Sequence, residues 1–310
     1  MAVVPIYVVD AFADRPFTGQ PAVIVPDAAG LSDREMLQIA EELGMEAAFA
    51  APSSEPGADV KIRFFTQRRE ASFSGHVVVS TFTALADRGL FKPTPEGLQL
   101  HQETPIGLFP VTLTATADNR TRVSFELPNP RFGEPVPASE VASALGIPIA
   151  AIGIDGSEPQ RVSCGFDQII VPISDRTVMR GSLRSLDTMR ELTDRRGVSG
   201  FALFCRDTVA PDADFHCRFV FPADAHAEEP VSGTSVAAIA AFAVNNELLR
   251  RADQVEVVTE QGQAVGRPCR VEAVVRCLND RITRVQVTGT GVVMMRGAFH
   301  FEHKASAAAI

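Results

Sequence analysis

The nine residues Val236–Val244, VAAIAAFAV, are apolar without exception and rich in alanine. Alanine is the strongest helix former, so the stretch reads as a helix. A helix with no polar face must be covered on every side. A chain carrying such an element has to wrap the rest of a domain around it. This requirement constrains the fold more than any other feature of the sequence.

The same plan occurs a second time. Ser232-Gly233-Thr234-Ser235 opens the apolar helix, and Ser74-Gly75-His76-Val77 opens a similar run ending at Asp87-Arg88-Gly89. The earlier copy, with its Val77-Val78-Val79, has the β-branched bias of a strand. Its correspondence with the alanine-rich copy predicts a helix closed by a C-terminal glycine. A second pair lies in the same order. Gly19-Gln20-Pro21-Ala22-Val23-Ile24-Val25-Pro26 parallels Gly165-Phe166-Asp167-Gln168-Ile169-Ile170-Val171-Pro172, in each case a glycine before an apolar strand that stops at a proline. Two ordered matches about half a chain apart indicate an internal duplication.

The surroundings of both helices read as strands: 61–66, 107–115, 122–127, 254–259, 269–277 and 283–288. In the fifth, Cys269, Val271, Ala273, Val275 and Cys277 alternate with more polar positions, the period of a half-buried strand. Ser32-Asp33-Arg34-Glu35 has capping-box spacing, and its helix should stop at Gly44, with a short strand through 45–49. ELPNPRFGEPVP (126–137) holds four prolines in twelve residues, which excludes a helix or a central strand and places a domain boundary there. The expectation is an α+β protein of two pseudo-symmetric domains, each a β-barrel-like sheet around a central apolar helix. The first covers 1–125 and is completed by the C-terminal strand near 285–305; the second covers 126–284.

Function classes narrow in the same way. A net charge of −9 with no Lys/Arg cluster argues against a nucleic-acid partner. No apolar run reaches the roughly 18 residues a membrane span needs, and MAVVPIYVVDAF reads as a first strand and not as a signal peptide. Five scattered cysteines without a Cys-x-x-Cys pair read as reduced thiols of a cytoplasmic protein. No histidine has metal-ligand spacing, and no Walker loop or dinucleotide fingerprint stands in a strand–helix context, so no metal and no cofactor are expected.

What remains is the chemistry of two helix starts. Each exposes unpaired N–H groups and the positive end of a helix dipole, suited to a carboxylate. Gly75 and Gly233 let a ligand approach the backbone closely, although glycines at turns also serve geometry alone. His76 at such a start is a cap, a surface residue or a catalyst. Its duplicate Thr234 is also a hydrogen-bonding residue. Glu46, among Met45, Ala47, Ala48 and Phe49, is either an exposed strand-face charge or a desolvated general acid/base. Glu228-Glu229 before the second start complements the helix dipole.

At these residues the chain resembles the PhzF-like phenazine biosynthesis family, relatives of diaminopimelate epimerase. The family's V-D-x-F-x-x-x-P-F-x-G-N-P-A is matched by Val9-Asp10-Ala11-Phe12 through Pro16-Phe17-Thr18-Gly19-Gln20-Pro21-Ala22. Its E-T-A-F is Glu46-Ala47-Ala48-Phe49, its G-H-A-T is Gly75-His76-Val77-Val78, and its E-D-P-x-T-G-S-A is Glu228-Glu229-Pro230-Val231-Ser232-Gly233-Thr234-Ser235. Q-G-x-x-x-G-R-P is present from Gln261 to Pro268.

The resemblance implies two barrel domains with an active site between them, a homodimer and no cofactor. It also implies isomerisation of trans-2,3-dihydro-3-hydroxyanthranilate by glutamate-mediated proton transfer, with a small carboxylate as ligand. It places Glu46, His76 and Glu229 in the catalytic set, and Gly75, Gly233, Thr234, Ser232 and Gln20 around the substrate. The departures are Glu229 for aspartate, Gln20 for asparagine, Ala47 for threonine, Val77-Val78 for Ala-Thr, and exchanged hydroxyls at Ser232 and Thr234. The related epimerases and proline racemases place a cysteine at each helix start, and here neither start has one, which disfavours a two-thiol mechanism. An epimerase or lyase acting on a related hydroxy or amino acid, or a metabolite-binding protein without turnover, are the competing expectations.

Overall fold

The computed structural model describes residues 2–181, 185–223, 228–279 and 281–301. In chain order the strands are β1 (Ala2–Ala11), β2 (Gln20–Val25), β3 (Ala47–Ala51), β4 (Val60–Phe65), β5 (Glu70–Ala71), β6 (Leu98–Thr104), β7 (Gly107–Ala115) and β8 (Thr121–Leu127). They continue as β9 (Arg131–Pro135), β10 (Gln160–Ser163), β11 (Asp167–Pro172), β12 (Phe201–Cys205), β13 (Phe215–Val220), β14 (Gln254–Gln261), β15 (Cys269–Leu278) and β16 (Arg281–Phe301). The α-helices are α1 (Asp33–Leu43), α2 (Gly75–Asp87), α3 (Ala138–Leu145), α4 (Arg176–Gly181), α5 (Leu186–Arg196) and α6 (Gly233–Asn245). The chain divides into two compact units. The first is Met1–Ala11, Pro21–Val123 and Thr290–Ile310; the second is Phe12–Gln20 and Ser124–Gly289.

In the first unit the hydrogen-bonded order β1-β2-β3-β4-β6-β7-β8-β16 returns from β16 to β1 and closes an eight-strand barrel. Every residue of α2 from Gly75 to Leu85 is buried, which a helix achieves only inside such an enclosure. The β-branched run is therefore helical because tertiary burial outweighs a propensity deficit of a few tenths of a kcal/mol per residue. Its hydroxyls are satisfied locally or by the wall: Thr81 and Thr83 donate to the Val77 and Val79 carbonyls, and Ser80 to Val9. Gly89, in the left-handed region, ends the helix, with Leu90 N–H donating to Leu85. Helix α1 lies on the outer face of the wall. Its Met36, Ile39 and Ala40 join Val23, Val25 and Phe49 in one core cluster. The Ser32–Glu35 capping box and the Gly44 stop both form.

In the second unit the order β16-β15-β14-β13-β12-β11-β10-β9 curls around α6, which touches β10, β11, β12, β14 and β15. Residues Gly233–Val244 are all buried. The duplication is visible strand by strand. β2/β3 and β11/β12 are parallel pairs, β3/β4 and β12/β13 antiparallel, and β13/β14 is parallel across α6 as β4/β6 is across α2. The glycines ahead of β2 and β11, Gly19 and Gly165, both have positive φ. The extra length between β11 and β12 holds α4.

One boundary differs from the sequence reading and one element extends it. In the proline-rich 126–137 segment β8 runs to Leu127, as expected, and β9 adds an edge strand at the end of the strand order, a position where proline costs no ladder bond. The strand expected over 283–288 is the start of a 21-residue strand, β16. Residues 302–305 of the expected C-terminal strand lie outside the described residues.

Candidate active site

Glu46 sits between the left-handed stop of α1 at Gly44 and the first residue of β3, Ala47. Its carbonyl accepts the Val23 N–H at 2.9 Å, which fixes its backbone to β2. Its side chain retains 29% exposure and is not fully desolvated. It is held by a hydroxyl: Ser74 Oγ donates to Glu46 Oε2 at 2.7 Å. The same Ser74 oxygen lies 3.3 Å from Nδ1 of His76, and His76 Nε2 lies 3.6 Å from Glu46 Oε2. His76 is 6% exposed, and its Nε2 has no hydrogen-bond partner. Burial pulls its pKa below the ordinary 6.5, with the Glu46 charge opposing, so the resting imidazole is neutral. One end of the α2 barrel thus brings together a carboxylate, a hydroxyl and a neutral imidazole with a free lone pair or N–H.

In the second unit Ser232, Gly233 and Thr234 form the start of α6. Ser232 Oγ caps it by accepting from Ser235 N–H and Oγ at 3.3 and 2.9 Å. The Ser232 N–H donates to Gln261 Oε1. Thr234 is 8% exposed, and a Cβ on Gly165 would stand 3.5 Å from its methyl. The Q-G-x-x-x-G-R-P residues hold the neighbouring segments. Arg267 donates to the carbonyls of Gly19 and Thr18, and Gly19 N–H to Pro268, so the turn that delivers Gln20 is fixed from both sides. Gln20 Oε1 is buried without a hydrogen-bond partner. Gly262 has φ 88, and a Cβ there would overlap the Arg267 carbonyl and crowd Pro230.

Glu229 is half-buried, in a segment anchored by its neighbour. Glu228 receives a bidentate pair from Arg218 at 2.8 and 2.6 Å and forms a β-bridge with Val220. Ser74, Arg218 and Gln261 were not among the expected site residues. Arg218 carried a usable signal, since a lone arginine in the apolar strand Phe215–Val220 requires a buried carboxylate.

Burial holds three of the five thiols in the protonated form. Cys164, beside Gly165, is fully buried, which pushes its pKa to about 12, and burial raises Cys205 and Cys217 likewise. Among the described residues no group of three His, Cys, Asp or Glu is placed to hold a metal ion, and no helix is long and apolar enough to cross a membrane.

The chain is similar to proteins named as isomerases. An uncharacterized isomerase of Clostridium acetobutylicum is 26% identical over 297 residues, 94% of this chain and 96% of that protein. The trans-2,3-dihydro-3-hydroxyanthranilate isomerase of Pseudomonas fluorescens is 26% identical over 296 residues, 94% and 97% respectively. The crystal structure of a PhzF-family phenazine biosynthesis protein of Bacillus anthracis superposes with a TM-score of 0.86 at 26% identity, covering 97% of this chain and all of that one. The model of the phenazine biosynthesis-like proteins matches residues 9–297, and the chain belongs to that family.

Proposed function

We propose that the protein is a cofactor-independent isomerase of a small carboxylic acid, with Glu46 as the group that takes a proton from one carbon and returns it to another. The observation that carries this reading is the contact of Glu46 with Ser74 and His76 at the amino end of a buried helix. Its carboxylate keeps partial solvent exposure and is oriented by the Ser74 hydroxyl, so it can be reached by a substrate proton. The helix start supplies N–H groups and a positive field for the substrate carboxylate at Gly75 and His76. Gly233, Thr234, Ser232, Gln20 and Glu229 are proposed as substrate-orienting residues of the second unit. The similarity to a named dihydro-hydroxyanthranilate isomerase makes that compound the first substrate to try.

The test is its conversion in deuterated buffer by wild type and by Glu46→Gln. Turnover by wild type with loss of about 100-fold or more in the variant supports the assignment. Equal turnover by both removes Glu46 from the mechanism. Inactivity of both rejects this substrate and moves the assay to other small unsaturated hydroxy and amino acids. The competing metabolite-binding reading predicts ligand binding without hydrogen exchange by either protein.

A further inference from the structure

The two serines at the duplicated helix starts have different partners. Ser232 caps α6. Ser74, at the same position of α2, makes no side-chain cap hydrogen bond. It thereby forgoes the stabilisation that an N-cap gives a helix. The hydroxyl instead spans Glu46 and His76.

A hydroxyl has one proton to give and lone pairs to receive. At 2.7 Å from a carboxylate, Ser74 gives its proton to Glu46, so the 3.3 Å contact with His76 Nδ1 requires that nitrogen to be the donor. A neutral imidazole with Nδ1–H has its lone pair on Nε2. That atom is buried and without a hydrogen-bond partner. The chain of donors therefore runs from Nδ1–H to Ser74 Oγ and from Ser74 Oγ–H to Glu46 Oε2, and it leaves the other ring nitrogen, Nε2, 3.6 Å from Glu46 Oε2 and outside any hydrogen bond.

We propose that Ser74 is a proton relay joining Glu46 and His76 into one acid–base unit, whose second port to the substrate is Nε2 of His76. This rests on the reading of Glu46 as the proton acceptor. In the forward step the substrate's proton bonds to Nε2, Nδ1–H passes its proton to Ser74 Oγ, and the Ser74 proton bonds to Glu46. His76 ends neutral with its tautomer reversed, Ser74 ends unchanged, and the negative charge moves from Glu46 to the substrate. The reverse sequence returns the proton to a different carbon. One proton then has two delivery points, the Glu46 carboxylate and the imidazole, without a charged histidine intermediate. In this scheme Ser74 is a positioning residue acting through the other two.

The test reads the tautomer directly, by 15N NMR of the full-length protein at pH 7.5, with His76 assigned by its absence in His76→Asn. Wild type is expected to show His76 as the Nδ1–H tautomer. Ser74→Ala should convert it to the Nε2–H form, and Ser74→Thr, which keeps the hydroxyl, should restore it. Circular dichroism of each variant verifies folding. An Nε2–H tautomer in wild type, or one unchanged by Ser74→Ala, overturns the relay whatever becomes of Glu46. On any substrate whose turnover Glu46→Gln abolishes, Ser74→Ala should lower kcat by on the order of 10- to 100-fold with little change in KM. Wild-type kcat in that variant also overturns it. A Glu46→Gln protein with full activity rejects the parent reading separately, by a different measurement.

Discussion

Arg218 is the residue whose removal should cost the most for the smallest change. Its side chain is 8% exposed and that of Glu228 is 11%. It makes two bonds to the carboxylate and a third, at 2.6 Å, to the Met179 carbonyl. Replacing it by methionine preserves much of the volume but leaves the Glu228 carboxylate buried without its counter-ion. Breaking such a pair from one side costs about 3–5 kcal/mol, whereas replacing both partners with apolar residues is often neutral or stabilising by about 1–4 kcal/mol. The expectation is therefore a strongly non-additive cycle. Arg218→Met and Glu228→Leu should each lower stability by about 3–5 kcal/mol, and the double variant should lie near wild type. Arg218→Lys keeps the charge but loses the bidentate fork and should fall in between. Urea titrations followed by circular dichroism give the four values. A single variant within about 1 kcal/mol of wild type would show that the charges are not desolvated as the packing implies. A double variant less stable than both singles would show that the pair holds the 228–230 segment in a way no apolar contact can replace. Glu229 sits in that segment, so the second outcome would tie Arg218 to the placing of Glu229 as well as to stability.

Two further outcomes follow from single residues. His76 is held below its ordinary pKa of 6.5 by burial, so the unfolded chain binds the proton more readily than the folded one. That contribution is complete above about pH 6.5 and is lost as pH falls through the folded value; urea midpoints at pH 8 and pH 5.5 should drop further for wild type than for His76→Asn, and an equal drop would refute the buried neutral imidazole. Gly262→Ala combines a positive φ with overlap onto the Arg267 carbonyl, so it should destabilise by about 2 kcal/mol or more in the same titration, while Gly266→Ala, with open space around it, should cost less.

Periodicity made the architecture legible because burial imposes it. A helix apolar on every face admits few solutions, and α6 announced both itself and, through the duplication, the β-branched α2. The αL stop at Gly44 and the capping box at Ser32 were equally readable, since both are local hydrogen-bond patterns set by neighbouring residues. What sequence could not supply was the direction of a hydroxyl. Ser74 and Ser232 stand in the same motif, and a cap is the default reading for each, because the competing partner of Ser74 comes from Glu46, 28 residues away. The choice between cap and carboxylate depends on where the start of β3 packs against the start of α2, a tertiary fact. The same reasoning applies to Glu46. Its apolar neighbours in sequence suggested desolvation, but Glu46 precedes β3 and keeps partial exposure while residues 47–50 are buried, so neighbours along the chain do not define the surroundings of a carboxylate. Its partial exposure and the Ser74 hydroxyl that holds it do.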